Sequence, residues 1–194
     1  MKKLITIFCL SAIFFGCKEQ TNNSEEHHHQ EVNKTEEDTA VKKPLSPHTS
    51  TMAMIGDAHI HIDYSSPGVR GRIIFGGLLA YDQVWQAGAH MATWIETNKD
   101  LIIDSKTLPA GKYGFFTIPS KYEWTVMINK NWNQHGKDEY DEKDDVIRFK
   151  VKPIILEEPI EHLEYNVDKK DNQNGNISLA WSKLKIEFPF KIKR

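Results

Sequence analysis

The sequence predicts an all-β fold: a single β-sandwich domain of about eight or nine strands, set behind a signal peptide and a disordered linker. Three observations carry that expectation. Apolar and polar residues alternate with a period of two through most of the chain after residue 54, the mark of strands with one buried face and one wet face. Turn-forming residues separate the alternating runs. No segment carries a helical stripe beyond a single turn near Tyr81 to Trp85.

The N-terminus comes first. Met1-Lys2-Lys3 is basic, and Leu4 to Phe15 is an apolar run broken only by Thr6, Cys9 and Ser11. Gly16-Cys17 ends it, and Lys18-Glu19-Gln20 is polar. A basic start, a short apolar run and a small residue at the cut describe a secretory signal peptide over residues 1–16. The run is shorter than the roughly 20 apolar residues of a membrane-spanning helix. Phe14-Phe15-Gly16-Cys17 resembles a bacterial lipobox, with Phe14 where the usual pattern has Leu. That resemblance makes Cys17 a lipidation site and the membrane a partner through a lipid anchor. It implies an extracytoplasmic location. Lys18, rather than Asp, after the Cys implies the outer membrane, on its periplasmic or cell-surface face. The chain holds two cysteines, Cys9 and Cys17. Cys9 leaves with the leader, so the mature chain has no partner for an internal disulfide.

Residues 17–53 read as the lipid-anchored linker. Lys18 to Ser50 has no aromatic residue, and only Val32, Val41 and Leu45 are sizeable apolar side chains. Such a stretch buries too little surface to offset its ordering entropy. As a random coil it spans about 30 Å. His27-His28-His29 within it reads as a solvated polar tract.

Residues 54–194 read as the folded domain. Ala58, Ile60, Ile62 and Tyr64 alternate with His59, His61, Asp63 and Ser65. The same rhythm runs through Trp124 to Ile128, Ile147 to Val151, Leu163 to Val167, Ile177 to Trp181 and Ile186 to Ile192. Ser66-Pro67-Gly68, Gly76-Gly77, Pro109-Ala110-Gly111, Pro119-Ser120 and Asn172 to Asn176 mark turns. Pro189 lacks a ladder donor, which places the last strand at an edge or a bulge.

The formal net charge is −2. There is no basic patch interleaved with aromatics, so nucleic acid is not an expected partner. The acidic run Asp138 to Asp145 lacks the spacing and central Gly of an EF-hand loop and reads as a solvated loop.

Several segments together resemble a known family. They are Tyr64-Ser65-Ser66-Pro67 with Gly71-Arg72 and Phe75-Gly76-Gly77; Trp85-Gln86-Ala87-Gly88-Ala89 with Ala92-Thr93; Leu108-Pro109-Ala110-Gly111-Lys112-Tyr113 with Phe116-Thr117-Ile118-Pro119; Trp124-Thr125-Val126 with Asn129-Lys130; and Leu179-Ala180-Trp181. Their order and spacing resemble domain-of-unknown-function family 2911, bacterial exported proteins of about this size. The resemblance implies the fold and the exported location and supplies no chemistry. Gln86 and His90 depart from the family's Arg and Asn after the Trp.

Candidate chemistry is sparse. His59 and His61 lie two apart on a strand and share a face with Asp57 and Asp63. With His90 as a third ligand they would hold zinc or iron, and a metal-dependent enzyme is the alternative reading. No Gly-x-Ser-x-Gly elbow accompanies the serines, so no catalytic residue is assigned. Trp132 sits among amides in Asn131-Trp132-Asn133-Gln134, a composition suited to stacking a sugar ring. Arg70 and Arg72 flank Gly71 and present forked donors for a carboxylate or phosphate. The leading expectation is a binding or interaction module of the cell envelope, with a glycan, peptidoglycan or protein partner and no resident cofactor.

Overall fold

The computed structural model describes residues 44–194. The expected leader, Cys17 and the linker up to residue 43 lie outside the described residues.

Two antiparallel sheets face each other. The larger is built from β1 (His48–Ile55), β2 (Ala58–Ser65), β3 (Trp94–Thr97), β6 (Gly111–Ile118), β7 (Trp124–Asn129) and β8 (Asp145–Val151), in the order β1-β2-β3-β6-β7-β8. The smaller holds β4 (Leu101–Ile103), β5 (Lys106–Leu108), β9 (Ile154–Lys169) and β10 (Asn174–Ile192), in the order β5-β4-β10-β9. This is the expected sandwich, with ten strands. Among the described residues one short 3-10 helix, Glu142–Asp144, interrupts the strands.

The alternation read from the sequence becomes the core. Ile60 and Ile62 of β2, Val126 and Ile128 of β7, Ile147 and Phe149 of β8, and Leu163, Tyr165, Leu179, Trp181 and Phe188 of the opposing sheet are buried in one cluster. Trp85, Trp124 and Trp181 belong to it, with Phe75 4.8 Å from Trp124 and Trp85 stacked on Trp181 at 5.8 Å between ring centroids.

One boundary is corrected. The linker expected to run to residue 53 gives way to strand at His48. β1 pairs with β2 along its whole length, from His48↔Ser65 to Ile55↔Ala58. A two-residue turn joins them, with Gly56 at φ 58°. A Cβ at Gly56 would lie 2.5 Å from the Asn172 carbonyl oxygen, so the turn needs glycine for space as well as for backbone angle. β1 escaped the sequence reading because its pattern is inverted. The small residues Thr49, Thr51 and Ala53 are the half-buried ones, while Met52 and Met54 point to solvent.

The Pro189 expectation is corrected too. β10 lies inside its sheet, but it changes partners along its length. It pairs with β9 from Gly175 to Lys185 and with β4 from Phe190 to Ile192. Pro189 falls between the two ladders, so its missing N–H costs no hydrogen bond there.

Candidate functional site

The outer face of the large sheet carries the polar half of the alternation. On β2 it presents His59, His61 and Asp63, and on β3 it presents Trp94 and Glu96. Register sets their neighbours. Asp63 is opposite Trp94, Trp94 is opposite Gly114, and Glu96 is opposite Lys112.

Gly114 leaves room for the loop that follows β7. A Cβ there would lie 2.9 Å from the Asn131 carbonyl oxygen. Trp132 settles in that space, 6.4 Å from Trp94 between ring centroids. Lys112 extends its ammonium between the two rings, 3.4 Å from the Trp94 centroid and 3.9 Å from that of Trp132. A cation over two indoles fixes both rings by their quadrupoles.

The loop is held from below. Asn129 is fully buried. Its Oδ1 accepts from the Asn131 N–H at 2.9 Å, and its Nδ2 donates to the Asp141 carbonyl at 2.9 Å and to Asp145 Oδ1 at 2.8 Å. Gln134, also buried, donates to the Asn131 carbonyl at 2.8 Å and accepts from the Glu139 N–H at 3.0 Å. Two backbone bonds tie this loop to the 86–93 segment: Ala92 N–H to the Gln134 carbonyl and Gly136 N–H to the His90 carbonyl. Trp132 therefore stands on a braced loop, an arrangement that favours a preformed site.

Beside the two tryptophans lies a cleft of about 220 Å³ lined by His48, Asp63, Ser65, Met91, Trp94, Trp132 and their neighbours. One wall is polar. His48 Nε2 meets Asp63 Oδ1 at 2.8 Å, with the Asp63 side chain 17% exposed. Ser65 is the direct cross-strand neighbour of His48. The other side is apolar, formed by the two indoles and the exposed Met91. An amphipathic ligand would find a ring face on one side and a carboxylate, a hydroxyl and an imidazole on the other.

The expected site residues distribute unevenly over this geometry. Trp132 lies in the cleft. The metal centre does not assemble: among the described residues, no three His, Cys, Asp or Glu side chains are placed to hold a metal ion. His59 and His61 stand 6.0 Å apart between ring centroids, and the His61 ring packs against Trp94 at 4.9 Å, with its Nε2 buried and unpartnered. His90 is exposed in a loop at φ 61°, and its carbonyl ties down Gly136. Arg70 and Arg72 lie outside the cleft lining. Arg72 spends its guanidinium on its own turn, with Nη2 donating to the Gly68 carbonyl at 2.6 Å and Nε to the Val69 carbonyl at 3.0 Å. Arg70 stands at φ 49°, exposed, its backbone N–H on Glu161.

His48, Met91, Trp94 and Lys112 are site residues that the sequence reading missed. Trp94 had a signal: it alternates with Ile95 and Thr97, the buried positions of β3. His48 had none, because its strand has the composition of a linker.

The acidic run is consumed by structure. Asp141 caps the 3-10 helix by accepting from the Lys143 N–H, and Asp145 accepts from Asn129, Arg148 and Tyr140. Burial, then the hydrogen bond to Asp145, pushes the Tyr140 hydroxyl well above its ordinary pKa, so it stays a donor at any physiological pH.

The residues that carry the family resemblance sit mainly in the core. The Ala87 carbonyl, in a turn at φ 53°, accepts from the buried Tyr165 hydroxyl at 2.7 Å and from Thr93 Oγ1 at 3.0 Å. Trp85 Nε1 donates to the Gly88 carbonyl at 3.0 Å. These bonds shape the fold. No curated protein and no solved structure matches the chain. Residues 46–190 match the family described as "Protein of unknown function (DUF2911)", and the chain belongs to that family.

Proposed function

We propose that this protein is a ligand-binding module of the bacterial cell envelope, which holds one sugar ring of an envelope glycan in the cleft beside Trp94 and Trp132. The observation that carries the reading is the cleft's division into an aromatic side and a polar wall on braced backbone. Pyranose rings offer the matching division, with C–H faces for an indole and hydroxyls for a carboxylate. The volume of about 220 Å³ falls below the roughly 300–1,000 Å³ typical of pockets for drug-sized ligands. It suits one ring rather than a chain.

The location belongs to the same proposal. The lipobox-like Gly16-Cys17 and the basic-apolar leader support a lipoprotein held extracytoplasmically at the outer membrane by Cys17. Among the described residues no helix is long and apolar enough to cross a membrane, so any hold on the bilayer by a helix would come from outside them. The charge balance supports glycan or protein partners over nucleic acid.

Titration calorimetry with soluble peptidoglycan fragments and a panel of neutral hexoses tests the reading. Saturable binding that falls at least about tenfold in Trp132→Ala, with the unfolding midpoint held within a few degrees, is the expected result. Binding of equal strength in the variant, or none to any probe, would remove the sugar site.

A further inference from the structure

Two methionines stand where β1 turns toward water. Met52 and Met54 are 59% and 55% exposed on the outer face of the large sheet, while the core lies on the other side of the strand. Their partners across the ladder are histidines: Met52 is opposite His61, and Met54 is opposite His59.

The register brings the four side chains together. Direct cross-strand partners project from the same side of a sheet, as do residues two apart on one strand. His59 turns its backbone toward its other neighbour: its N–H donates to Asn98 Oδ1 at 2.8 Å, and its carbonyl accepts from the Asn98 N–H. Met54 and His59 therefore face each other without exchanging ladder bonds, and Met52 and His61, two residues along, do the same. Side chains approach most closely in such pairs, with Cα atoms about 4.5 Å apart. The result is a rectangle of two thioethers and two imidazoles above the β1–β2 hairpin. Its imidazole rings lie 6.0 Å apart between centroids. One ion about 2 Å from a nitrogen of each ring spans such a separation.

His61 Nε2 is buried and has no hydrogen-bond partner, an unfavourable state that a bond to an ion would relieve. The hairpin beneath is paired from His48 to Ile55 and closed by the two-residue turn at Gly56, so the backbone of the set is in place before any ion arrives.

Donor chemistry selects the ion. Zinc takes imidazole, thiolate and carboxylate. Among the described residues no third His, Cys, Asp or Glu completes a set with these histidines, and Glu96, opposite His61 on β3, does not change that. The donors that do complete it are thioether sulfurs, neutral and soft, which suit monovalent copper. Methionine has three rotatable bonds with which to bring its sulfur to an ion.

We propose that Met52, Met54, His59 and His61 form a binding site for monovalent copper on the outer face of the β1–β2 hairpin. Trp94, whose ring meets the His61 ring edge-on at 4.9 Å, covers one side of that imidazole. Apart from this tryptophan the site shares no residue with the sugar cleft, and neither reading depends on the other.

The test uses the unlipidated chain from Lys18 to Arg194, which carries no cysteine, with His27→Gln, His28→Gln and His29→Gln so that the polar tract supplies no imidazole. Anaerobic titration with cuprous ion against a chromophoric cuprous chelator should show one equivalent retained by the protein. Losing the outer-shell support of a metal already weakens it about tenfold or more, so Met52→Leu/Met54→Leu and His59→Gln/His61→Gln should each weaken retention at least about tenfold. The methionines are exposed and leucine keeps their bulk, so an unchanged unfolding midpoint confirms intact protein. Silver ion, a redox-inert stand-in, should shift the methyl resonances of Met52 and Met54 in methyl-labelled protein. No retained copper overturns the proposal. So does retention indifferent to the methionine variant, silver that leaves both methyl resonances in place, or zinc held as tightly as copper, since each would leave at most a plain imidazole site.

Discussion

The inner and outer faces of the six-stranded sheet are built by the same strands and obey different rules. Inward, β2 presents Ala58, Ile60, Ile62 and Tyr64, all in the core. Outward, the same strand presents His59, His61 and Asp63, and β3 adds Trp94. Inner residues are fixed by volume, and outer ones by pairing with a specific neighbour: Asp63 with His48, Lys112 with two indoles, His61 with Trp94. The residues by which the family is recognised are concentrated in the inner layer. The inner face therefore accounts for the fold, and the outer face is where activity is to be sought.

The contrast can be broken most directly from inside. Trp181 is 1% exposed, stacked on Trp85, with its Nε1 on the Glu161 carbonyl. Trp181→Ala should cost about 3–5 kcal/mol in urea unfolding, through the lost burial and the cavity left behind. A loss below about 1 kcal/mol would mean that the two sheets close over the gap. Tyr165→Phe removes one hydroxyl from the bond to Ala87. The expected loss is about 1–3 kcal/mol, because the buried carbonyl keeps only Thr93 as a partner. Sugar binding should survive it, since Tyr165 packs between the sheets.

The smallest stability effect belongs to the outer face. Lys112→Met keeps the aliphatic stem and removes the ammonium from between Trp94 and Trp132. Stability should fall by about 0.5–1 kcal/mol, while tryptophan emission shifts and any sugar affinity weakens several-fold as the rings loosen. If Lys112→Met cost as much as Trp181→Ala, the outer face would be part of the folding core and the distinction would fail.

How much of this was legible in the sequence follows from the same contrast. Ile60, Val126, Phe149 and Leu179 declare the buried face by alternation, because burial selects residue type at every second position. β1 declares nothing of the kind. Thr49, Thr51 and Ala53 face inward at an edge where little volume is needed, and Met52 and Met54 face out. Losing β1 also hid His48, and with it half of the polar wall. Trp132 was legible as a loop tryptophan among amides, and alternation marked Trp94 as outward-facing; the approach of the two rings was not legible, because it depends on the room that Gly114 leaves. The histidine trio failed for a related reason. Spacing places His59 and His61 on one face, but only the path of the 86–93 segment decides where His90 goes, and there its carbonyl is the part that bonds.

The partner exchange along β10 has a consequence for the order of assembly. β4 and β5 form a hairpin of three-residue strands, too short to persist alone. Their attachment to the rest of the sheet is Phe190 to Ile192, far along the chain from the hairpin. During synthesis that hairpin waits through about eighty further residues. The segment Phe190–Ile192 is therefore a latch: the smaller sheet reaches its full width only once that segment is in place.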